Sequence, residues 1–106
     1  MWLAGCAAPV QDTGGDLRRG KELIGRYGCA ACHVIPGIDG SVGQKGPSLA
    51  GVAVRPTIAG GLQNNPENLV RWIREPRKVD RYTEMTDQGI TIDEARDIAA
   101  YLYTLK

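Results

Sequence analysis

The chain has 106 residues, with 13 basic and 12 acidic side chains and a formal net charge of +1. That length fits one domain, and the near-cancelling charge argues for neither nucleic acid nor an anionic membrane surface as a partner. With no phenylalanine, so short a chain has little apolar surface of its own to bury, and a large flat apolar cofactor would help complete its core.

In chain order, the first feature is Leu3-Ala4-Gly5-Cys6. It resembles the bacterial lipobox, in which a signal peptidase cuts before the cysteine and the thiol takes a diacylglycerol. The basic and apolar regions of a full signal do not precede it here, and a free thiol in a disordered tail is the alternative reading. Residues 7–15 are small, polar and turn-prone, a linker between anchor and domain. The expected division is therefore 1–15 as lipobox remnant and linker, and 16–106 as the domain. Asp16 caps a helix predicted from Leu17 to Gly28, with Leu23, Ile24 and Tyr27 on one face.

Cys29-Ala30-Ala31-Cys32-His33 follows at once. C-x-x-C-H reads as a covalent haem attachment site, in which each thiol adds across a haem vinyl group. His33 is the only histidine in the chain, so it has no competitor as proximal iron ligand. A thioredoxin-like pair would need a strand before Cys29, and none is signalled. Structural zinc normally takes four Cys or His ligands, whereas only these three cluster. A disulfide between residues three apart would close almost no loop.

Residues 36–61 are punctuated by glycine and proline with little periodicity, which makes sense as loop wrapped around a cofactor. Asn65-Pro66-Glu67 then opens a helix, with a cap, a proline at its first position and an acid in its first turn. Leu69, Val70, Trp72 and Ile73 form its apolar side, and Pro76 ends it. Thr91 and Glu94 make a capping box for a last helix, whose stripe of Ile98, Ala99, Leu102 and Leu105 runs to the C-terminus. No apolar run is long enough to span a bilayer.

From about Asp16 to Lys106 the chain resembles a class I cytochrome c. The likeness is carried by Tyr27-Gly28-Cys29-Ala30-Ala31-Cys32-His33, by Gly46-Pro47-Ser48-Leu49 with Gly51 and Arg55, by the stretch Asn65 to Pro76, by a loop bearing Met85, and by Tyr101-Leu102. The Pro-Glu-Asn-Leu-x-x-Trp-Ile-Arg-x-Pro stretch looks most like small domains associated with bacterial haem–copper oxidases. The resemblance implies an all-α fold of three to five helices around one covalent haem c. The terminal helices would cross beside it, Gly20 and Ile24 against Tyr101 and Leu102. It also implies that the Pro47 carbonyl accepts the His33 imidazole N–H. Arg55 and Trp72 are candidates for contacts to the haem propionates, with Tyr82 as a further candidate donor; the alternatives are a solvated surface charge for Arg55 and a helix-face core residue for Trp72.

Met85 is the only internal methionine. It sits among Glu84, Thr86, Asp87 and Gln88, an odd place for a core gap-filler and a sensible one for a thioether held by iron. The family often has proline where this chain has Thr86. With His33 and Met85 both on the iron no position is vacant, and the expected role is a one-electron carrier and not an enzyme. It would be a monomer that takes electrons from a quinol-oxidising complex and donates to a terminal oxidase. Its expected place is the periplasmic or extracytoplasmic face of a bacterial membrane, lipid-anchored through Cys6. The rival readings are a ligand-binding or peroxidatic haem with a labile sixth ligand, and a module tethered to one oxidase.

Overall fold

The computed structural model describes residues 11–41 and 43–106; the lipobox and Cys6 lie outside them. Helix α1 spans Leu17–Arg26. It begins where the Asp16 carboxylate accepts hydrogen bonds from the backbone N–H groups of Arg18 and Arg19, at 2.8 and 3.3 Å. It stops two residues short of the sequence expectation because Gly28 takes a left-handed conformation, φ 71°, which glycine reaches without a Cβ penalty.

Helix α2, Pro66–Arg74, has the predicted cap, Asn65 Oδ1 accepting from Asn68 N–H at 2.9 Å. Pro76 ends α2 as expected, then sits buried at the start of a further turn, α3, Pro76–Val79. Helix α4, Ile92–Leu102, carries the full capping box of Thr91 and Glu94. Its stripe does not run helically to the end of the chain. Leu105 turns back, N–H to Leu102 O, and its own carbonyl accepts from Ala53 N–H at 3.0 Å.

The residues between are irregular, as expected, with one short antiparallel pair. Strands β1, Thr57–Ile58, and β2, Leu62–Gln63, are joined across Ala59 and Gly60, both at positive φ. Side chains replace regular hydrogen bonding in this region. Ser41 Oγ lies 3.0 and 2.8 Å from the carbonyls of Ile35 and Ile38 and accepts from Ile35 N–H. The Asn64 amide donates to the carbonyls of Val52 and Arg55, both at 2.9 Å, and its oxygen accepts from Tyr103 O–H. Burial pushes the Tyr103 phenol up to about 12.

The core lies where α4 is packed against α1 and α2, with Ile24, Ala95 and Ala99 fully enclosed. Helix α1 crosses α4 at Gly20, which lies on the backbone of Asp97 and Ile98. A Cβ on Gly20 would stand 1.9 Å from the Asp97 carbonyl oxygen and 3.0 Å from Ile98 N. Tyr101 is buried in the same core and donates its hydroxyl to Pro36 O at 2.6 Å. Thr13, placed by the sequence in the linker, is buried and donates to Arg96 O at 2.7 Å. At the other end of α1, Tyr27 O–H donates to Glu94 Oε1 at 2.7 Å.

Two glycines of α1 should therefore respond with opposite signs. Gly20→Ala forces backbone apart and should destabilise by about 1–3 kcal/mol in urea unfolding, the usual cost of overpacking. Gly25 has nothing within 4 Å of its Cβ position, so Gly25→Ala should stabilise by about 0.5–1 kcal/mol through helix propensity.

The Thr91 N–H and the Tyr27 hydroxyl hold the Glu94 carboxyl below its ordinary value of 4.5. A depressed folded-state pKa gives stability that is present above the ordinary value and lost as pH falls through the folded one. Tyr27→Phe should weaken that acid-side dependence, measured by melting temperature against pH.

Candidate haem centre

The left-handed Gly28 aims the chain from α1 into a 3₁₀ turn, Cys29–Ala31. Backbone N–H groups of Cys32 and His33 both bond the Cys29 carbonyl, at 3.2 and 3.0 Å. Residues i and i+3 eclipse in such a turn, which puts the side chains of Cys29 and Cys32 on one side of it. Both are free thiols and half-buried. Burial pushes the Cys29 thiol up from its ordinary value.

The imidazole of His33 is held from the side. Its Nδ1 lies 2.8 Å from Pro47 O. Proline has no N–H but keeps its carbonyl, an acceptor only, so Nδ1 carries the proton and Nε2 presents its lone pair. That is the tautomer a metal-binding histidine takes when a carbonyl fixes its other nitrogen. The loop comes this close because Gly46 has no side chain: a Cβ there would stand 2.3 Å from His33 Cε1. Gly43 meets the Ala31 carbonyl in the same way. Hydrogen bonds from Gly46 N–H to Cys32 O and from Leu49 N–H to Val34 O, both 2.8 Å, lay the loop along the turn.

Arg55 acts on this same loop. Its Nη2 donates to the carbonyls of Ser48 and Ala50, at 2.7 and 2.9 Å, clamping the segment that follows Pro47. The structure thus brings Cys29, Cys32, His33, Pro47 and Arg55 into one connected set. The other predicted residues come from α2 and the loop after α3, with no hydrogen bond to that set among the described residues. Trp72 is half-buried and packs on the core. Tyr82 is 79% exposed, its hydroxyl accepting from Arg81 Nη2 at 2.6 Å and its ring 4.9 Å from the Arg81 guanidinium carbon. Met85 is half-buried in an irregular loop, its N–H bonded to Thr83 Oγ1 at 3.1 Å.

Sequence reasoning did not assign Gly46 or Asn64 a role. The Gly-Pro dipeptide signalled a turn, and the resemblance put its Pro47 carbonyl on the His33 imidazole, but nothing local said that Gly46 itself would lie against the ring. Among the described residues no group of three or more His, Cys, Asp and Glu side chains is gathered to hold a metal ion. Two free thiols on one side of a turn, and an imidazole oriented through Nδ1 with Nε2 bare, fit a covalently attached haem.

The family model described as Cytochrome c matches residues 17–106. The chain belongs to the cytochrome c family. As a cytochrome c it carries haem c covalently and is an electron-transfer protein. Its fold superposes on cytochrome c2 from Rhodobacter sphaeroides with a TM-score of 0.65 at 26% identity, covering 86% of this chain and 96% of that one. It is 31% identical over 112 residues to cytochrome c oxidase subunit 2 of Alkalihalophilus pseudofirmus, across 99% of this chain and 30% of that protein. It is 34% identical over 89 residues to cytochrome c oxidase subunit 2 of Bacillus sp. strain PS3, across 80% of this chain and 25% of that protein. The chain thus spans about a quarter to a third of the length of these curated relatives.

Gly46→Ala tests the imidazole cradle of this cytochrome c. The methyl group must displace either the ring or the loop, so the variant should yield less haem per polypeptide and a shifted Soret band. Gly61→Ala, with nothing within 4 Å of its Cβ position, should leave both unchanged.

Proposed function

We propose that this cytochrome c is a one-electron carrier whose iron is held by His33 and Met85, with Cys29 and Cys32 as the thioether positions, and that it donates to a terminal oxidase. The observation that carries the reading is the 2.8 Å contact of His33 Nδ1 with Pro47 O, made possible by the bare backbone of Gly46. It fixes the ring's tautomer and direction before any metal is bound, and it raises the basicity of the free nitrogen.

The bound haem supplies a reversible ferric/ferrous couple, and the protein's part is to hold and tune it. His33 offers nitrogen and Met85 a soft thioether, a pair that favours the reduced iron and raises its potential. Arg55 holds the Pro47 loop in place and keeps further guanidinium donors for the haem propionates. The half-buried indole of Trp72 is a second propionate contact in this reading. Tyr82, which still has its O–H to donate, is a third.

Similarity to two proteins named cytochrome c oxidase subunit 2 supports an oxidase as electron acceptor, with a quinol-oxidising complex upstream. Thioether attachment of haem and lipoprotein processing both belong outside the bacterial cytoplasm. Among the described residues no helix is long and apolar enough to cross a membrane. The attachment in this reading is a diacylglycerol on Cys6, on the likeness of Leu3-Ala4-Gly5-Cys6 to a lipobox, and it supplies enough acyl chain for stable anchoring.

Mass, optical and membrane-partition measurements test this reading. Intact mass should exceed the polypeptide by one haem, and acidic acetone should fail to extract the pigment. The oxidised protein should show a weak sulfur-to-iron band in the red. Met85→Ala should abolish that band, lower the potential and admit carbon monoxide to the reduced iron. Carbon monoxide binding to the unaltered protein would favour the ligand-binding alternative, and an unchanged Met85→Ala spectrum would remove Met85 as ligand. Native protein should partition into membranes and be released by detergent and not by salt, whereas Cys6→Ser should be soluble or unprocessed.

A further inference from the structure

Asn64 lies in the irregular half of the chain, yet it is bonded at four points. Its side-chain nitrogen donates to the carbonyls of Val52 and Arg55, both at 2.9 Å, and its backbone N–H donates to Pro56 O at 3.1 Å. Its side-chain oxygen accepts the Tyr103 hydroxyl at 2.9 Å, across 39 positions of sequence. Val52 opens the 3₁₀ turn Val52–Val54 and Arg55 closes it. One amide therefore grips both ends of the turn from which the Arg55 side chain leaves. A planar amide supplies the two N–H donors and the acceptor that this position uses, whereas an aspartate would set a carboxylate against two carbonyls.

The oxygen end of that amide is equally well defined. Tyr103 caps the C-terminal end of α4 and is buried. Burial pushes its phenol up to about 12, so it remains an O–H donor at neutral pH. Helix α4 is itself fixed on α1 by the backbone contact at Gly20, and Tyr103 and Asn64 carry that fixed position outward to Arg55. The Arg55 guanidinium engages Ser48 O and Ala50 O through Nη2 alone. Its Nε and Nη1 have no hydrogen-bond partner among the described residues.

We propose that Asn64 and Tyr103 are positioning residues for electron transfer: they hold Arg55 as a donor to the haem propionates and through it raise the potential of the iron. The inference rests on the reading of Arg55 as a propionate contact. A guanidinium fixed beside a propionate offsets that group's negative charge, which otherwise favours ferric iron. A guanidinium free to swing into water offsets less of it. An arginine anchored only in a loop punctuated by glycine would move with the loop. Anchored on α4, it is already in place when the iron changes charge, and fixed donors of this kind add no reorganisation to the transfer.

The test is a set of full-chain holoprotein variants read by equilibrium redox titration, by the red sulfur-to-iron band and by urea unfolding. Arg55→Gln should lower the potential, so that the ferrous-to-ferric ratio at a fixed solution potential falls roughly fivefold, the order expected for one screened charge. Tyr103→Phe and Asn64→Ala should each move the ratio the same way, by about twofold to threefold. Added to Arg55→Gln, either should move it no further while still lowering stability in urea. Thr13→Val removes a buried hydroxyl bond elsewhere against α4, Thr13 to Arg96 O at 2.7 Å, and should lower stability with no change in the ratio. Shifts that add to that of Arg55→Gln, or stability losses at an unchanged potential, would overturn the proposal. Loss of the red band in Tyr103→Phe would overturn it as well, by placing the effect on Met85. A shift in Arg55→Gln with none in Tyr103→Phe removes the two positioning residues and leaves the propionate contact standing, whereas no shift in Arg55→Gln removes both. If Asn64→Ala fails to take up haem, Tyr103→Phe decides alone, since it deletes one oxygen and keeps the ring.

Discussion

Backbone meeting backbone, with no side chain between, is the constraint on which this fold depends. Gly20 rests on the carbonyl of Asp97, and Gly15 on that of Arg96, so α1 and α4 cross closer than any pair of side chains would allow. Asp97 ties the contact further, accepting from Asp16 N–H at 2.8 Å and pairing with Arg19 at 3.3 Å. With α1 fixed on α4 at that point, the direction of the Cys29–His33 turn is fixed too, because the turn leaves α1 through one left-handed residue. The haem centre uses the same device: Gly43 and Gly46 admit a second layer of backbone over the turn.

The irregular half of the molecule is ordered by a small number of polar side chains. Asn64 bonds two carbonyls and a tyrosine, Arg55 bonds two carbonyls, and Ser41 closes its own turn. Among the described residues no buried side-chain nitrogen or oxygen lacks a partner. In a chain with few large apolar side chains, these bonds hold loops that hydrophobic burial could not. They are also directional, which is what placing an imidazole requires and what apolar packing does not provide.

Electron transfer asks for little motion at the iron and a stable pair of ligands. His33 is held through Nδ1 by a carbonyl from another segment, and that segment is clamped by Arg55, so the ring's orientation is decided by the folded chain. Met85 comes from a loop whose start is ordered by local bonds among Asp80, Tyr82, Thr83 and Met85. The two ligands proposed for the iron thus differ in how the chain holds them, one by contacts distant in sequence and the other by contacts a few residues apart.

Much of this was legible without the structure, because it is local. Caps, the proline at the start of α2, the capping box of α4 and the Cys-x-x-Cys-His turn act within four residues of themselves, so spacing alone reveals them. The cofactor and the helical class followed from such signals and from the family resemblance. What only the tertiary structure decided depends on residues far apart: that Gly20 meets Asp97, that Gly46 lies on the His33 ring, and that Arg55 grips the loop behind Pro47. Thr13 belongs with these, since its partner lies 83 positions along the chain. A glycine in a sequence says that close approach is permitted; which backbone makes the approach is known only when the chain has folded.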